Sequence, residues 1–385
     1  MVNVNTKKAM PKNLMFPSWA DLHCNLLELI IDKLIPIRDR ICFGAVCLSW
    51  YSVFCENRLI LPIQLPLLTL APGSDTYNYR HTCWEISERT LYTIGRSRFH
   101  HLQFPIDTKY SIFCSSKGWL LMSDISSSSI RLVNPFLSVN NTIDLPPLTS
   151  TIQLHCRRAW YGHCLSPHKV VMSADPFSSS NTESYSVMLI YGNDRKMAYF
   201  RAGDAKWTEV KGAFYIHDVL YYKNKFYSID CIGLVCVYDN IGKKHFVCQT
   251  HAIVPLNIKI VSRKYYLVES LGELLLVRRS VRAGPCLTCG FEVFKHDPTT
   301  SNWVKVESLS NKMLFLGDNS SFAISTLDFP AYKPNCIFFT SNTYYHDLWR
   351  WPSHMGVFDL ADGSFKNSDV LEQERFPIFI EPKLH

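Results

Sequence analysis

Apolar residues recur at helical spacing between residues 18 and 56. In the first half of this segment they are Leu22, Leu26, Leu27, Ile30, Ile31 and Leu34. Asn25, with Glu28 three positions later, predicts a capping box in which each side chain pairs with an otherwise unpaired backbone N–H. In the second half the apolar positions i, i+4, i+7 and i+8 are Val46, Trp50, Val53 and Phe54. We predict two or three short helices, which bury too little surface to be stable alone.

The pattern changes to short β-rich runs after residue 73. Three of them, "SKGWLLMSD", "YKNKFYSID" and "SLGELLLVRR", share a theme in which turn-forming residues precede an apolar strand. Four such strands in about forty to fifty residues have the size of a propeller blade. We therefore predict a mainly β protein, a β-propeller of about six blades preceded by the small α-helical unit. A pair of β-sandwiches is the alternative architecture.

Proline and glycine positions indicate the segment boundaries. Pro62, Pro66, Pro72 and Gly73 mark a linker or crossing segment. The predicted segments are a disordered tail over 1–17, the helical unit over 18–58, the linker over 59–73, the propeller over 74–370 and a C-terminal tail over 371–385. Residues 74–110 form either an outer strand pair that closes the ring or a covering excursion. We expect residues 67–95 to help close the ring beside the last strands near 357–365.

Composition and charge exclude several classes of protein. The chain has 385 residues, of which 47% are hydrophobic and 19% charged, as in a globular protein. Its net charge of +7 comes from scattered residues, which predicts no nucleic-acid partner. The longest apolar run, 59–71, is too short to span a membrane and contains two prolines. The 14 cysteines show no regular framework and no signal peptide precedes them, which favours reduced thiols in the nucleus or cytoplasm.

Motifs for chemistry are few. Cys286 and Cys289 form one CxxC that lacks two further ligands at zinc-site spacing, so we predict no metal site. The sequence has no phosphate-binding loop, nucleophile elbow or metalloprotease helix, so we predict no cofactor and no catalytic residue. Three carboxylates could in principle face inward as a glycosidase-like pair, which leaves a propeller hydrolase as one alternative: Asp218, Asp230 and Glu269.

The helical segment resembles an F-box, because "DLHCNLLELIIDKL" precedes "RDRICFGAVCLSW". The matching positions are Leu22, Leu26, Leu27, Ile30, Leu34, Val46, Cys47 and Trp50. His23 departs from the family pattern, which usually has a proline in this turn, and the turn commonly contacts the adaptor. The resemblance implies that the matching residues bind a Skp-family adaptor. Cys47 is then a small packing side chain and not a reactive thiol.

The rest of the chain resembles plant F-box proteins with a DUF295 domain, also described as a KIB-type β-propeller. The motifs that carry the resemblance are "AYFRAGDAKWTEV", "HDVLYYKNKFYSID", "YYLVESLGELLLV" and "SLSNKMLFLGDNSSFAISTLDFP", followed by "NCIFFTSN" and "GVFDLADGS". The resemblance implies a non-catalytic substrate-recognition subunit of a Skp-cullin-F-box ubiquitin ligase, with an adaptor, a cullin and a target protein as partners. A binding propeller whose F-box-like helices have lost the adaptor is the second alternative.

Overall fold

The structure of the protein, a computed structural model, describes sixteen segments of the chain. They are residues 19–34, 37–57, 67–71, 89–93, 98–102, 110–124, 129–135, 141–148, 167–176, 185–239, 247–253, 262–281, 288–329, 332–341, 354–366 and 375–380. The chain divides into two compact units, residues 1–64 and 65–385. The predicted tail over 1–17 and most of the predicted linker lie outside the described residues.

The first unit is helical. A 3-10 turn (Trp19–Asp21) precedes α1 (Cys24–Lys33), α2 (Ile37–Gly44) and α3 (Leu48–Glu56). Four buried side chains form its core: Leu27, Ile31, Phe43 and Val53. Gly44 permits the close approach of α2 to α3, because a Cβ at this position would lie 2.9 Å from the Phe54 ring.

Two details of the predicted helices are wrong. His23, and not Asn25, is the N-cap of α1, since the helix already begins at Cys24. The capping box therefore does not form, because Asn25 lies inside the first turn. Val46 precedes α3, whose N-cap is Cys47, so Val46 does not share a helical face with Trp50. Helical spacing predicted the elements, but a short turn between them breaks the period.

The second unit consists of strands. In chain order they begin with β1 (Leu67–Ala71), β2 (Arg89–Thr93), β3 (Arg98–Leu102), β4 (Tyr110–Ser116), β5 (Trp119–Asp124), β6 (Ser129–Val133), β7 (Thr142–Leu145), β8 (Pro167–Met172), β9 (Ser186–Tyr191), β10 (Lys196–Arg201), β11 (Thr208–Glu209) and β12 (Ile216–Tyr222). They continue with β13 (Lys225–Asp230), β14 (Leu234–Asp239), β15 (Val247–Ile253), β16 (Ser262–Ser270), β17 (Glu273–Val281), β18 (Thr288–Asp297), β19 (Asn302–Val306), β20 (Lys312–Leu316), β21 (Ser321–Ser325), β22 (Cys336–Ser341), β23 (His354–Asp359), β24 (Phe365–Lys366) and β25 (Arg375–Ile380).

The described strands form six sheets, each a blade of a propeller. From the inner strand outward, blade 1 is β25-β1-β2-β3, blade 2 is β4-β5-β6-β7 and blade 3 is β8-β9-β10-β11. Blade 4 is β12-β13-β14-β15, blade 5 is β16-β17-β18-β19 and blade 6 is β21-β20-β22-β23-β24. The inner strands contact one another from blade to blade, as in β4 with β8 and β12 with β16. The predicted mainly β propeller fold is thus confirmed.

Two-residue turns explain the repeated sequence theme. Lys117–Gly118, Lys223–Asn224 and Leu271–Gly272 each join the first two strands of a blade, and all six residues have positive φ. Positive φ at both central positions is the type I′ geometry that matches the twist of a hairpin. Glycine or asparagine at the second position adopts this conformation at low cost.

Blade 1 closes the ring and corrects two predicted boundaries. β1 lies within the predicted linker over 59–73 and β25 within the predicted tail over 371–385, yet the two strands pair with each other. The nearby prolines bound β1 without interrupting it, and its partner is too distant in the chain to leave a hairpin signal. β2 and β3 are the outer strand pair of the same blade, so the described parts of 67–95 do help to close the ring. The expected neighbours near 357–365 are wrong, because β1 pairs with β25, whereas 357–365 lie in blade 6.

Buried indole groups connect neighbouring blades. Trp119 of blade 2 and Trp207 of blade 3 are both fully buried. Trp119 Nε1 donates to Asp175 Oδ2 (3.1 Å), and Trp207 Nε1 donates to the Pro146 carbonyl (2.6 Å). A buried indole N–H is costly unless it has an acceptor, so each tryptophan combines apolar packing with one specific polar contact. In the described part of the chain, no helix is long and apolar enough to cross a membrane.

Candidate adaptor-docking surface

Helix α1 has one face in the core and one in solvent. Leu27 and Ile31, four residues apart, are buried against Phe43 and Val53. Leu26 and Leu29, three residues apart, remain 48% and 61% exposed. Leucines on both faces of a surface helix are unusual, since one apolar stripe suffices to cover a core.

Helix α3 repeats this division. Val53 is buried, whereas Leu48 is 87% exposed and Tyr51 is 48% exposed. Trp50 is half-buried, with its ring centroid 4.5 Å from that of Phe43 and its Nε1 donating to the Trp19 carbonyl (3.0 Å). We call the exposed large apolar residues of this unit the outer apolar set: Trp19, Leu26, Leu29, Val46, Leu48 and Tyr51.

The structure divides the residues that match the F-box pattern into three groups. Leu26 and Val46 belong to the outer apolar set, where a partner can contact them. Leu27 is buried in the helical core, so its contribution is to stability and not to docking. The others pack partly against that core or lie at a helix end: Leu22, Ile30, Leu34, Cys47 and Trp50. Docking by this set stays a prediction.

Sequence reasoning did not single out four members of the outer apolar set: Trp19, Leu29, Leu48 and Tyr51. The signal was present, because Leu29 follows Leu26 by one helical turn on the side away from Leu27. The predicted apolar face combined Leu26 with Leu27 and left out Leu29, which concealed this second stripe.

His23 takes over a structural role at the start of α1. Its Nδ1 accepts a hydrogen bond from the Asn25 backbone N–H (3.4 Å), and its backbone has φ −62° and ψ 141°. A proline ring holds φ near −65°, so the family proline and His23 suit the same backbone conformation. The departure from the family pattern therefore preserves the geometry of this turn.

The propeller channel contains a polar cavity of about 170 Å³. Inner strands of blades 2 to 6 line it, with Ser115, Lys117, Lys169, Glu269 and Ser321 among its polar residues. Within the described lining, Glu269 is the one carboxylate, and it accepts a hydrogen bond from the Gly272 N–H.

The other two carboxylates of the hydrolase alternative have structural partners. Asp218 is buried, forms an ion pair with Lys169 and accepts hydrogen bonds from the Val219 and Leu267 N–H groups. Asp230 accepts hydrogen bonds from the N–H groups of the turn that follows β13. The contacts of these three carboxylates are therefore with a lysine and with backbone N–H groups, which is the pattern of structural groups and not of an acid and base pair.

The described residues contain no group of three or more His, Cys, Asp or Glu side chains suited to a metal ion. Cys289 is an exposed cysteine, and Cys286 lies outside the described residues. Cys47 is a cysteine half-buried at the start of α3.

Comparisons with known proteins agree with the resemblance. The family model described as KIB1-4 beta-propeller matches residues 91–359. F-box protein At2g17036 of Arabidopsis thaliana is 27% identical over 90% of this chain and 89% of its own length. F-box protein SKIP23 of the same plant is 25% identical over 90% of both chains. F-box/kelch-repeat protein KIB1, also from this plant, is 24% identical over 88% of this chain and 82% of its own.

Proposed function

Because the chain belongs to the KIB1-4 β-propeller family, we propose that it is the substrate-recognition subunit of a Skp-cullin-F-box ubiquitin ligase. The helical unit docks a Skp-family adaptor and, through it, a cullin. The propeller binds the target protein in the nucleus or cytoplasm. The names of its relatives support this assignment. They are called F-box proteins, and this chain aligns with 89% and 90% of the length of two of them.

The outer apolar set is the observation that carries the proposal. Leu48 and Leu29 are 87% and 61% exposed on helices whose small core is formed by other residues. An apolar side chain buried at an interface contributes on the order of 1.5–3 kcal/mol before the cost of association. Exposed tyrosine and tryptophan add to such a surface, since these residues dominate binding energy at interfaces.

The proposed mechanism is proximity. The propeller holds the target while the helical unit holds the ligase, so lysines of the target meet the ubiquitin-conjugating enzyme at a high effective concentration. No side chain of this protein needs to form or break a bond. Loops on a rigid blade scaffold suit recognition, because they vary without disturbing the strands that support them.

The test measures the affinity of the full-length chain for a purified plant Skp-family adaptor. The double variant Leu26→Ala/Leu48→Ala removes two exposed side chains, so we expect about tenfold or greater loss of affinity at an unchanged melting temperature. Leu271→Ala/Leu327→Ala removes two leucines of similar exposure from the propeller and is the matched control. Wild-type affinity in the first variant, or no adaptor binding by the wild type, would favour a binding propeller that acts without the adaptor.

A further inference from the structure

One face of the propeller combines buried charge with exposed aromatic residues. We call the face at which the inner strands β8, β12 and β16 begin the start face, and the opposite one the end face. Three cationic side chains converge near the channel on the start face: Lys169, Arg195 and Lys264. Two carboxylates accompany them, Asp218 and Asp318. The imidazoles of His168 and His217 complete the group.

The contacts of these groups leave positive charge in excess. Lys169 pairs with Asp218, and Lys264 Nζ lies 3.2 Å from Asp318 Oδ1. Arg195 instead donates to backbone carbonyls, from Nε to Ile216 O (2.6 Å) and from Nη2 to His217 O (3.2 Å). Within this group three cations therefore face two carboxylates. Asp218 and Asp318 attract the Arg195 guanidinium, but its hydrogen bonds go to carbonyl oxygens.

Burial is the main cause of the lowered pKa values of the neighbouring groups, and the nearby cations lower them further. Burial, followed by repulsion from Arg195, lowers the pKa of Lys264 to about 8. Burial and the nearby cations Lys264 and Arg195 lower the pKa of His217 to about 2. His217 is neutral for a geometric reason as well. Its Nδ1 accepts a hydrogen bond from the Tyr265 N–H, which requires that this nitrogen carries no proton. A ligand carboxylate at this position would relieve the repulsion among the cations.

An exposed aromatic pair adjoins the charged group. Phe214 and Tyr215 precede β12 and are 49% and 57% exposed. Tyr215 has a φ of 52°, a left-handed conformation that aromatic residues rarely adopt. Its N–H donates to Asp194 O (2.7 Å), and the next N–H donates to Arg195 O (3.1 Å). The turn that carries Arg195 thus also holds Tyr215 toward solvent.

Ile232 extends the apolar part of this face. It lies in the turn between β13 and β14, at the same end of blade 4 as the start of β12, and is 59% exposed. Aromatic residues and arginine are the residues enriched at interfaces, and a rim of this composition recognises a segment with both apolar and charged side chains.

We propose that the start face binds an acidic segment of the target protein, with a carboxylate near Arg195 and Lys264 and an apolar side chain against Phe214 and Tyr215. This inference rests on the proposed role of the propeller in target recognition. Charge complementarity selects the occupant, because a basic segment would add to the existing repulsion among the cations.

The experiment measures binding of the full-length protein to an array of random twelve-residue peptides. We expect the bound peptides to be enriched in Asp and Glu together with an aromatic or large aliphatic residue, and their affinity to fall with added salt. Phe214→Ser/Tyr215→Asn removes the aromatic pair, and asparagine tolerates a positive φ. This variant should bind the selected peptides about tenfold less tightly or worse. Arg195→Gln should lose the preference for acidic peptides.

Leu271→Asn/Leu327→Ser on the end face is the matched control, since Leu271 is also exposed and also has a positive φ of 51°. It should bind the peptides within about twofold of the wild type. No peptide binding, no acidic enrichment, or equal losses in the start-face and end-face variants would each overturn the proposal.

Adaptor affinity measured on the same preparations separates the two proposals. The start-face variants should bind the adaptor as the wild type does. A wild type that selects acidic peptides but does not bind the adaptor would contradict the ligase function and leave the start-face site standing. A wild type that binds the adaptor but selects no acidic peptide would contradict the start-face site and leave the ligase function standing.

Discussion

His168 and His217 are held as neutral imidazoles inside the propeller. His168 Nε2 donates to the Gly192 carbonyl (2.9 Å), whereas His217 Nδ1 accepts from the Tyr265 N–H (3.3 Å). Burial is the main reason that their pKa values fall to about 3 and about 2, and nearby cations lower them further. An unfolded histidine has a pKa near 6.5, so below this pH the unfolded chain binds protons that the folded chain does not.

The stability of the folded propeller should therefore decrease as the pH falls from 6.5 to 5. Ordinary carboxylates remain ionised in this range, so they contribute little to the change. The free energy of unfolding by urea should fall by on the order of 1 kcal/mol per pH unit for each histidine. His168→Gln/His217→Asn keeps a hydrogen-bond donor at residue 168 and an acceptor at residue 217, but neither side chain takes up a proton. The free energy of unfolding of this variant should therefore depend less steeply on pH. Equal slopes in the wild type and the variant would contradict this account.

At the scale of the element, helix α1 shows how one residue replaces another without a change of backbone. His23 has the φ and ψ of a residue before a helix and caps the Asn25 N–H. The same φ is available to proline. A proline lacks the cap, but it restricts the unfolded chain, and the two effects oppose each other.

His23→Pro should consequently change the stability of α1 by less than about 1 kcal/mol. His23→Gly, which loses the cap and loosens the unfolded chain, should destabilise the helix more. Amide hydrogen exchange over residues 24–33 in the full-length chain measures both. Faster exchange in the proline variant than in the glycine variant would show that a proline does not fit the backbone conformation of residue 23.

Elements also differ in how far they can be predicted. The hairpins around Lys223–Asn224 and Leu271–Gly272 follow from adjacent residues, because a type I′ turn and two apolar strands suffice. The pairing of β1 with β25 does not follow from adjacent residues, since each is a short strand whose partner lies at the other end of the chain. Such a strand pairs only once the intervening blades have brought the two ends together.

At the scale of the whole molecule, β25 is the element that unites the two ends of the propeller. Ser115 Oγ of blade 2 donates to Phe379 O (2.6 Å), while the Phe379 ring meets Phe315 and Phe322 of blade 6 edge to face. Phe379 is 1% exposed. One residue of β25 thus contacts the blades on both sides of the closure, blade 2 through its backbone carbonyl and blade 6 through its ring.

Phe379→Ala should destabilise the propeller by about 3–5 kcal/mol, because it opens a cavity at the closure that neighbouring side chains fill only in part. Phe214→Ala, which truncates a phenylalanine that is 49% exposed, is the matched control and should cost about 1 kcal/mol or less. Urea unfolding followed by tryptophan fluorescence compares the two. Similar losses in both variants would mean that closure through β25 contributes little to the stability of the ring.

The sequence by itself determined what depends on neighbouring residues: two or three short helices, hairpins with short turns, and the F-box residue order that leads to Trp50. Only the tertiary structure decided which apolar residues are core and which are surface, as between Leu27 and Leu26, because adjacent leucines satisfy the same helical period. It also decided that His168, His217 and Lys264 meet near one point. These residues come from three blades, and only the closed ring brings the starts of their inner strands together.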